Sequence, residues 1–221
     1  MSDFYMPSEV FHLIQLKPMR ESFFEFCKKA LKFNSILICE GKSDSELVKV
    51  LSKKIGVDLK GIGITDCEGV NNLTEIVGYI ISLSKISKRV KKLIVLIDMD
   101  EYSPEDRIES LENALRSKGL DLKFSKVNRS IYETEIESSR KLIVLLLGIP
   151  ELRTKRKCIE DHSVEVMILT GKLNERDVVG KSSSKEILEE LRISQIEIIE
   201  KSDAEILSKS FSSLVRVLKS L

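Results

Sequence analysis

Short apolar runs alternate with segments of helical periodicity over the first 130 residues of the chain. The runs are rich in β-branched residues and have the length of strands buried on both faces, at 35–39, 60–65, 92–97 and 122–127. Apolar residues at helical spacing follow the first three runs, at about 43–55, 73–84 and 103–118. This alternation predicts an α/β fold with a mostly parallel central sheet flanked by helices.

Polar and small residues mark the ends of two of these helices. Ser43, with Glu46 three residues later, predicts an N-cap and a capping box, and Gly56 ends the same helix. Ser103 followed by Pro104 predicts the start of another helix.

The rest of the chain gives weaker signals. A leucine-rich run at 141–148 predicts a fifth strand, with a short buried helix as the alternative, and the acidic segment 133–137 is ambiguous. Further predicted elements are helices at about 19–32, 158–170, 184–191 and 203–221, and a loop at 173–184. We expect one domain over 1–221, with a core at about 35–130, an N-terminal helical addition at 1–34 and an extension at 131–221 that carries a strand and helices.

Acidic residues follow two of the predicted strands directly. Glu40 and Asp44 come after the first strand, and Asp98 and Asp100 come after the third. In open α/β sheets ligands bind outside the carboxyl ends of the strands, so these carboxylates are expected to face one crevice. Several acids in one crevice repel one another unless a cation neutralises them. The pattern predicts a divalent-metal site.

The composition limits the function classes. The 221 residues carry a formal net charge of +1, which excludes the strongly basic profile of a constitutive nucleic-acid coat but leaves room for local basic patches. The four cysteines form no CxxC pair, which predicts neither a zinc site nor a disulfide framework and fits a reduced, cytoplasmic setting. We see no signal-peptide pattern, and the longest apolar run, 142–149, is too short to cross a bilayer.

Two motifs together resemble the Toprim domain. They are Glu40-Gly41-x-x-Asp44 and Asp98-x-Asp100, each behind an apolar strand. Toprim domains occur in topoisomerases, bacterial-type primases, RecR-like repair proteins, overcoming-lysogenization-defect (OLD) nucleases and some ribosomal-RNA maturation nucleases. The resemblance covers about residues 35–130. Ile159-Glu160-Asp161-His162 also resembles a Glu-Asp step of small stand-alone Toprim-like proteins of archaea and bacteria, which extends a weaker match over most of the chain.

The resemblance implies roles for the acids. Glu40 would be a metal ligand or a general acid or base in phosphoryl transfer, and Asp98 and Asp100 would hold Mg²⁺, with Mn²⁺ as the alternative ion. Alternation along an extended segment would place both aspartates on one face, with the residue between them turned away. Asp44, together with Glu160 or Asp161, would serve a second ion. The plainer alternatives are a first-turn dipole partner for Asp44 and ordinary helix capping for Glu160 and Asp161.

Glycines and cations near these motifs suggest phosphate contacts. Gly41 fits a close approach of backbone to a ligand, Lys42 is a candidate phosphate contact, and Gly69 opens a helix whose N-terminus suits a phosphate. A simple turn glycine is the plainer interpretation of Gly69. For His162, a surface or helix-start position is the plainer interpretation, and a ligand role is the alternative.

Two basic runs stand out, and surface loops are the plainer interpretation of both. The run 85–92 precedes the third strand and is expected at the edge opposite the acids. The run 153–157 follows the fifth strand and is expected at the acidic edge, where Arg153, Lys155 and Arg156 would contact a phosphate backbone. Arg107, on the helix after the second motif, is a further candidate. The aromatic residues offer no evident base-stacking platform.

These features predict a stand-alone Toprim-like protein that binds Mg²⁺ and acts on nucleic-acid phosphodiesters, most simply as a nuclease. One alternative is a non-catalytic module that binds DNA or RNA in a RecR-like role. Another is a small-molecule enzyme or nucleotide-binding receiver that uses the same crevice. The sequence does not choose between DNA and RNA, predicts no membrane partner, and leaves a homodimer as one option for the oligomeric state.

Overall fold

A six-stranded, mostly parallel sheet forms the centre of the protein. The computed structural model describes residues 32–67, 70–86, 89–137 and 140–221. The strands in this range are β1 (Ser35–Cys39), β2 (Ile62–Asp66), β3 (Lys92–Asp98), β4 (Ser125–Lys126), β5 (Ile131–Glu137) and β6 (Arg140–Leu147). Their order is β2-β1-β3-β6-β5-β4. Strands β1, β2, β3 and β6 are parallel, whereas β5 is antiparallel to both of its neighbours.

Helices cover both faces of the sheet. In the described residues they are α1 (Lys42–Lys54), α2 (Val70–Ile86), α3 (Pro104–Ser117), α4 (Glu160–Leu169), α5 (Ser184–Leu191), α6 (Gln195–Lys201), α7 (Ala204–Ser210) and α8 (Ser212–Lys219), with a 3₁₀ turn at Glu175–Val178. Side chains of α2 and α3 pack on one face of the sheet. Side chains of α1 and of α4 to α8 pack on the other face.

The parallel strands supply both of these cores. In β1, Leu37 and Cys39 belong to one core while Ile36 and Ile38 belong to the other, as the alternation of side chains along a strand requires. The same alternation holds for Ile94 and Val95 of β3. This double burial explains why these strands read as unbroken apolar runs. The predicted α/β fold with a mostly parallel sheet is confirmed.

The edge of the sheet beyond β6 differs from the prediction. The strand expected at 122–127 is reduced to Ser125–Lys126, because the N–H of Phe124 donates to the Glu112 side chain (2.9 Å) rather than to a neighbouring strand. The ambiguous acidic segment is strand β5, which buries Ile131 and Tyr132. Glu133 is half-buried and Glu135 is exposed, so the acids of this strand keep contact with solvent and do not prevent pairing. The fifth predicted strand is β6, and the helical alternative for it is wrong.

Several helix boundaries also differ. Helix α1 begins after Gly41, and the residue that accepts from the N-cap backbone N–H is Asp44, not Glu46, so the capping box expected from Ser43 is wrong. Gly56 ends that helix with a left-handed φ of 72°, as predicted. The helix expected at 203–221 turns at Phe211 into α7 and α8, and α6 was not predicted. The helix expected at 19–32 lies almost wholly outside the described residues.

Candidate active site

Carboxylates from three separate segments line one cleft at the carboxyl ends of β1 and β3. The cleft has a volume of about 290 Å³. Its acidic residues are Glu40, Asp44, Asp98, Asp100 and Glu160, and its other lining residues are Gly41, Ser43, Arg156, Cys158, Ser183 and Lys185. Strands β1 and β3 pair in parallel, which brings the residues after both strands to the same edge. Helix α4 follows the parallel strand β6 and carries Glu160 to that edge as well.

Glu40 lies directly against the end of β3. Its Oε2 accepts a hydrogen bond from the backbone N–H of Asp98 (3.3 Å), although the two residues are 58 positions apart in sequence. The same oxygen lies 3.8 Å from Nη2 of Arg107. The expected meeting of Glu40 with the two aspartates is therefore present in the fold.

Asp98 is the last residue of β3 and is held at both its side chain and its backbone. Oδ1 accepts from the N–H of Ile159 (2.9 Å), which ties β3 to the start of α4. The backbone carbonyl of Asp98 accepts from Nε of Arg107 (2.9 Å). These contacts fix the carboxylate at the base of the cleft.

Asp100 reaches the cleft by a different route from the predicted one. Its backbone is left-handed, with φ of 55°, rather than extended, and Asp is one of the few residue types that adopt this conformation readily. The N–H of Asp100 donates to the carbonyl of Lys157, and the N–H of Lys157 donates to the carbonyl of Asp100 (2.8 Å each). Simple alternation is thus the wrong reason for the convergence, although Met99 is turned into the core as expected.

Asp44 combines a helix-capping contact with a place in the cleft. Its Oδ2 accepts from the N–H of Gly41 (2.8 Å) at the start of α1, and the residue is only 6% exposed. The dipole-partner and cleft-lining interpretations of Asp44 are therefore both consistent with its position.

The adjacent acids Glu160 and Asp161 point to different places. Glu160 lines the cleft, whereas Asp161 is fully buried and accepts from the N–H of Ile149 (3.0 Å) and the hydroxyl of Ser184 (2.6 Å). Of the two candidates for a second ion, only Glu160 faces the other carboxylates. The ring of His162 packs on Phe211, and its Nδ1 bonds the carbonyl of Ser210 (2.8 Å), away from the cleft.

Some of the predicted phosphate contacts line the cleft and others do not. Arg156 lines the cleft, 3.8 Å from Asp100, because the paired backbones of Asp100 and Lys157 draw this segment to the site. Arg153 and Lys155 are exposed and do not line the cleft; Arg153 borders a separate depression. Gly41 lines the cleft, but Lys42 is exposed outside its lining. Gly69 lies outside the described residues.

Burial and mutual repulsion act on the acids of the cleft. Burial raises the pKa of Asp98 well above its usual value, and the carboxylates of Asp44, Glu160 and Glu40 raise it further. Burial also raises the pKa of Asp44 from 3.8 to about 6, against the opposing effect of the Gly41 N–H. The pKa of Glu40 is raised by burial, which the N–H of Asp98 and the charge of Arg107 partly offset. The cleft therefore favours either protons or an added cation.

The matching family model covers residues 34–201 and is described as "Protein of unknown function (DUF3226)". The chain belongs to the DUF3226 family. Among solved structures, the C-terminal region of the Xanthomonas campestris pv. campestris OLD protein is similar at 12% sequence identity, with a TM-score of 0.41, over 85% of this chain and 96% of that one. A TM-score this low describes a loose likeness of fold, and nothing about activity follows from it. No curated protein matches the chain significantly.

Two side chains enter the cleft of this DUF3226 protein without a signal in the sequence. Ser183 and Lys185 lie at the start of α5, next to a segment that reads as a polar loop. The bond from the Ser184 hydroxyl to Asp161 holds this helix start beside α4. Only the packing of α5 on α4 brings Lys185 to the acids, so no local motif could have indicated it.

The donor chemistry of the cleft suits Mg²⁺. Its acidic side chains offer carboxylate oxygens, and Mg²⁺ prefers oxygen donors. The ion also keeps several waters, so it needs only one or two carboxylates. In the part of the chain that the structure describes, no three His, Cys, Asp or Glu side chains are grouped so that they could hold a metal ion. An ion held by one or two carboxylates and otherwise by water does not require such a group. No described helix is long and apolar enough to span a membrane.

Proposed function

We propose that the protein binds Mg²⁺ in this cleft, with Mn²⁺ as a substitute, and cleaves phosphodiester bonds in nucleic acid. The observation that carries the proposal is the convergence of Glu40, Asp98 and Glu160, from three distant segments, into one cleft. Burial there raises the pKa of Glu40 and of Asp98. Such perturbed groups cluster at functional sites more often than elsewhere. The Toprim-like motifs at Glu40 and Asp98 point to the same chemistry.

Asp98, Asp100 and Glu40 are the proposed principal ligands, and Asp44 and Glu160 are the proposed ligands of a second ion. When bound, Mg²⁺ supplies polarisation of a phosphoryl oxygen and activation of a water molecule. Glu40 is also the proposed general acid or base, the role that the Toprim resemblance implies for it.

Cations at the cleft are the proposed contacts for the phosphate backbone. Arg156 and Lys185 both line the cleft that holds the acids, and Arg and Lys side chains are common contacts for phosphate oxygens. Arg156 also lies 3.9 Å from Glu101, so it is placed between the acidic centre and the outer surface.

A nucleic-acid-binding role without turnover is the second candidate. It is supported by the side chain of Arg107, which already neutralises part of the acidic cluster through Asp100 and Glu40. A binding module of this kind would retain its affinity for DNA or RNA in EDTA.

The test is a cleavage screen on single- and double-stranded DNA and RNA, with Mg²⁺, Mn²⁺ or EDTA. We expect metal-dependent cleavage by the wild type and its loss in the double variant Asp98→Asn/Asp100→Asn. The matched control is Asp121→Asn/Asp203→Asn, which removes two exposed carboxylates far from the cleft lining and is expected to cleave normally. Undiminished cleavage by the Asp98/Asp100 variant would contradict the proposal, and metal-independent binding without cleavage would favour the second candidate.

A further inference from the structure

Arg107 is a buried cation among the acids of the cleft. Its side chain is 9% exposed, and its Nη2 lies 3.1 Å from Oδ2 of Asp100 and 3.8 Å from Oε2 of Glu40. Its Nε donates to the backbone carbonyl of Asp98 (2.9 Å). One guanidinium thus contacts Glu40, Asp98 and Asp100, three of the four acidic positions in the two motifs.

The start of α3 fixes this guanidinium in place. Ser103 caps the helix by accepting from the N–H of Asp106 (3.1 Å), and Pro104 occupies the first helical position. The N–H of Arg107 donates to the carbonyl of Ser103 (3.0 Å), and its guanidinium lies 5.4 Å from the centre of the Tyr102 ring. The guanidinium is planar and always charged, and contacts on several sides restrict its position.

We propose that Arg107 is a positioning residue that acts as a built-in counter-cation: it holds Glu40 and Asp100 together without metal and weakens the binding of a divalent ion to the cleft. This inference rests on the proposed function. A fixed positive charge beside a divalent ion repels it, and the carboxylates that Arg107 occupies are only partly available to the ion.

The contacts of Arg107 also divide the acids into two groups. Glu40 and Asp100 lie against its guanidinium, whereas the Asp98 carboxylate accepts from the N–H of Ile159 and that of Asp44 from the N–H of Gly41. A cation that enters the cleft therefore meets Asp98 and Asp44 without displacing Arg107, and must share Glu40 with it. Removal of the guanidinium should tighten ion binding rather than weaken it.

Binding calorimetry with Mg²⁺ and Mn²⁺ tests this on four full-length proteins. Arg107→Gln is expected to bind the ion at least 10-fold more tightly than the wild type, a change of about 1.4 kcal/mol. Arg107→Lys keeps the charge and should bind like the wild type. Arg116→Gln is the matched control, because Arg116 lies on the same helix, is about half exposed and pairs with Asp121, and it should leave the affinity unchanged.

Equal or weaker ion binding by a folded Arg107→Gln protein would overturn the inference while leaving the proposed function intact. No binding of either ion by the wild type would overturn both. A second measurement covers the case in which Arg107→Gln does not fold. In the wild-type protein, the side-chain Nε–H resonance of Arg107 should shift during a Mg²⁺ titration with the midpoint of ion binding, and an unchanged resonance at saturation would overturn the inference.

Discussion

Replacement of Asp44 by asparagine should stabilise the metal-free protein. Asp44 is 6% exposed, and its carboxylate accepts from the N–H of Gly41 at the start of α1. Asparagine has nearly the same shape, and its side-chain oxygen can accept the same hydrogen bond. The substitution therefore removes a buried charge while it keeps the cap.

The magnitude follows from the shifted pKa. Burial, and secondarily the repulsion from Glu160 and Glu40, raises the pKa of Asp44 from 3.8 to about 6. A folded-state pKa above the unfolded value means that ionisation destabilises the fold. The penalty is absent below pH 3.8, grows between pH 3.8 and about 6, and is complete above that. A shift of about two pH units corresponds to about 3 kcal/mol.

Urea unfolding in EDTA at pH 7.5 and at pH 4 measures this effect. Asp44→Asn should unfold with a free energy about 3 kcal/mol higher than the wild type at pH 7.5, and the difference should nearly vanish at pH 4. Asp121→Asn, which removes an exposed carboxylate, should change stability by less than about 0.5 kcal/mol at either pH. A less stable Asp44→Asn protein at pH 7.5 would refute the reasoning, because the charge would then contribute favourably to the fold.

Three further predictions concern structural contacts and the ion. Asp161→Ala should lower the free energy of unfolding by about 2–4 kcal/mol in urea, because it leaves the buried donors of Ile149 and Ser184 without their acceptor; a loss below about 0.5 kcal/mol would contradict this. Burial lowers the pKa of His162 to about 4, so the contribution of His162 to stability should fall by up to about 3 kcal/mol as the pH drops from 6.5 to 4. Because Asp44 contributes with the opposite sign over nearly the same range, the effect is read from the difference between His162→Gln and the wild type; a difference that does not change with pH would contradict this. At a concentration 100-fold above its dissociation constant, Mg²⁺ should stabilise the wild type by about 2.7 kcal/mol, and the same concentration should have little effect on Asp98→Asn.

The central strands could be predicted because their side chains are buried on both faces. A run such as 93–97 in β3 is apolar at every position, and no other element of this length explains such a run as well. Strand β4 is shorter than predicted and β5 was not assigned from the sequence. Neither segment is a continuous apolar run, and the pairing of β5 depends on the distant strand β6. The break at Phe211 between α7 and α8 also gives no local signal.

Sheet geometry alone predicted only those site residues that lie at the end of a strand. Parallel pairing of β1 and β3 brings Glu40 and Asp98 to the same edge of the sheet. Two sequence motifs and one rule of sheet geometry were therefore sufficient to predict that these residues meet. Glu160 was a candidate only through the resemblance, which left Asp161 as its alternative. Nothing in the sequence indicated Lys185, because its place in the cleft depends on the packing of α5 on α4. The left-handed backbone of Asp100 depends on its pairing with Lys157, a contact between distant segments.

A crystal soaked in Mn²⁺ tests the central claim most directly, because the anomalous scattering of the ion locates it independently of any activity. We predict an anomalous peak in the cleft, at a ligand distance of about 2.0–2.3 Å from carboxylate oxygens of Asp98 and Glu40. The peak should be absent from crystals of Asp98→Asn/Asp100→Asn grown and soaked in the same way. Crystals of the wild type that show no peak in the cleft at saturating Mn²⁺ would contradict the account.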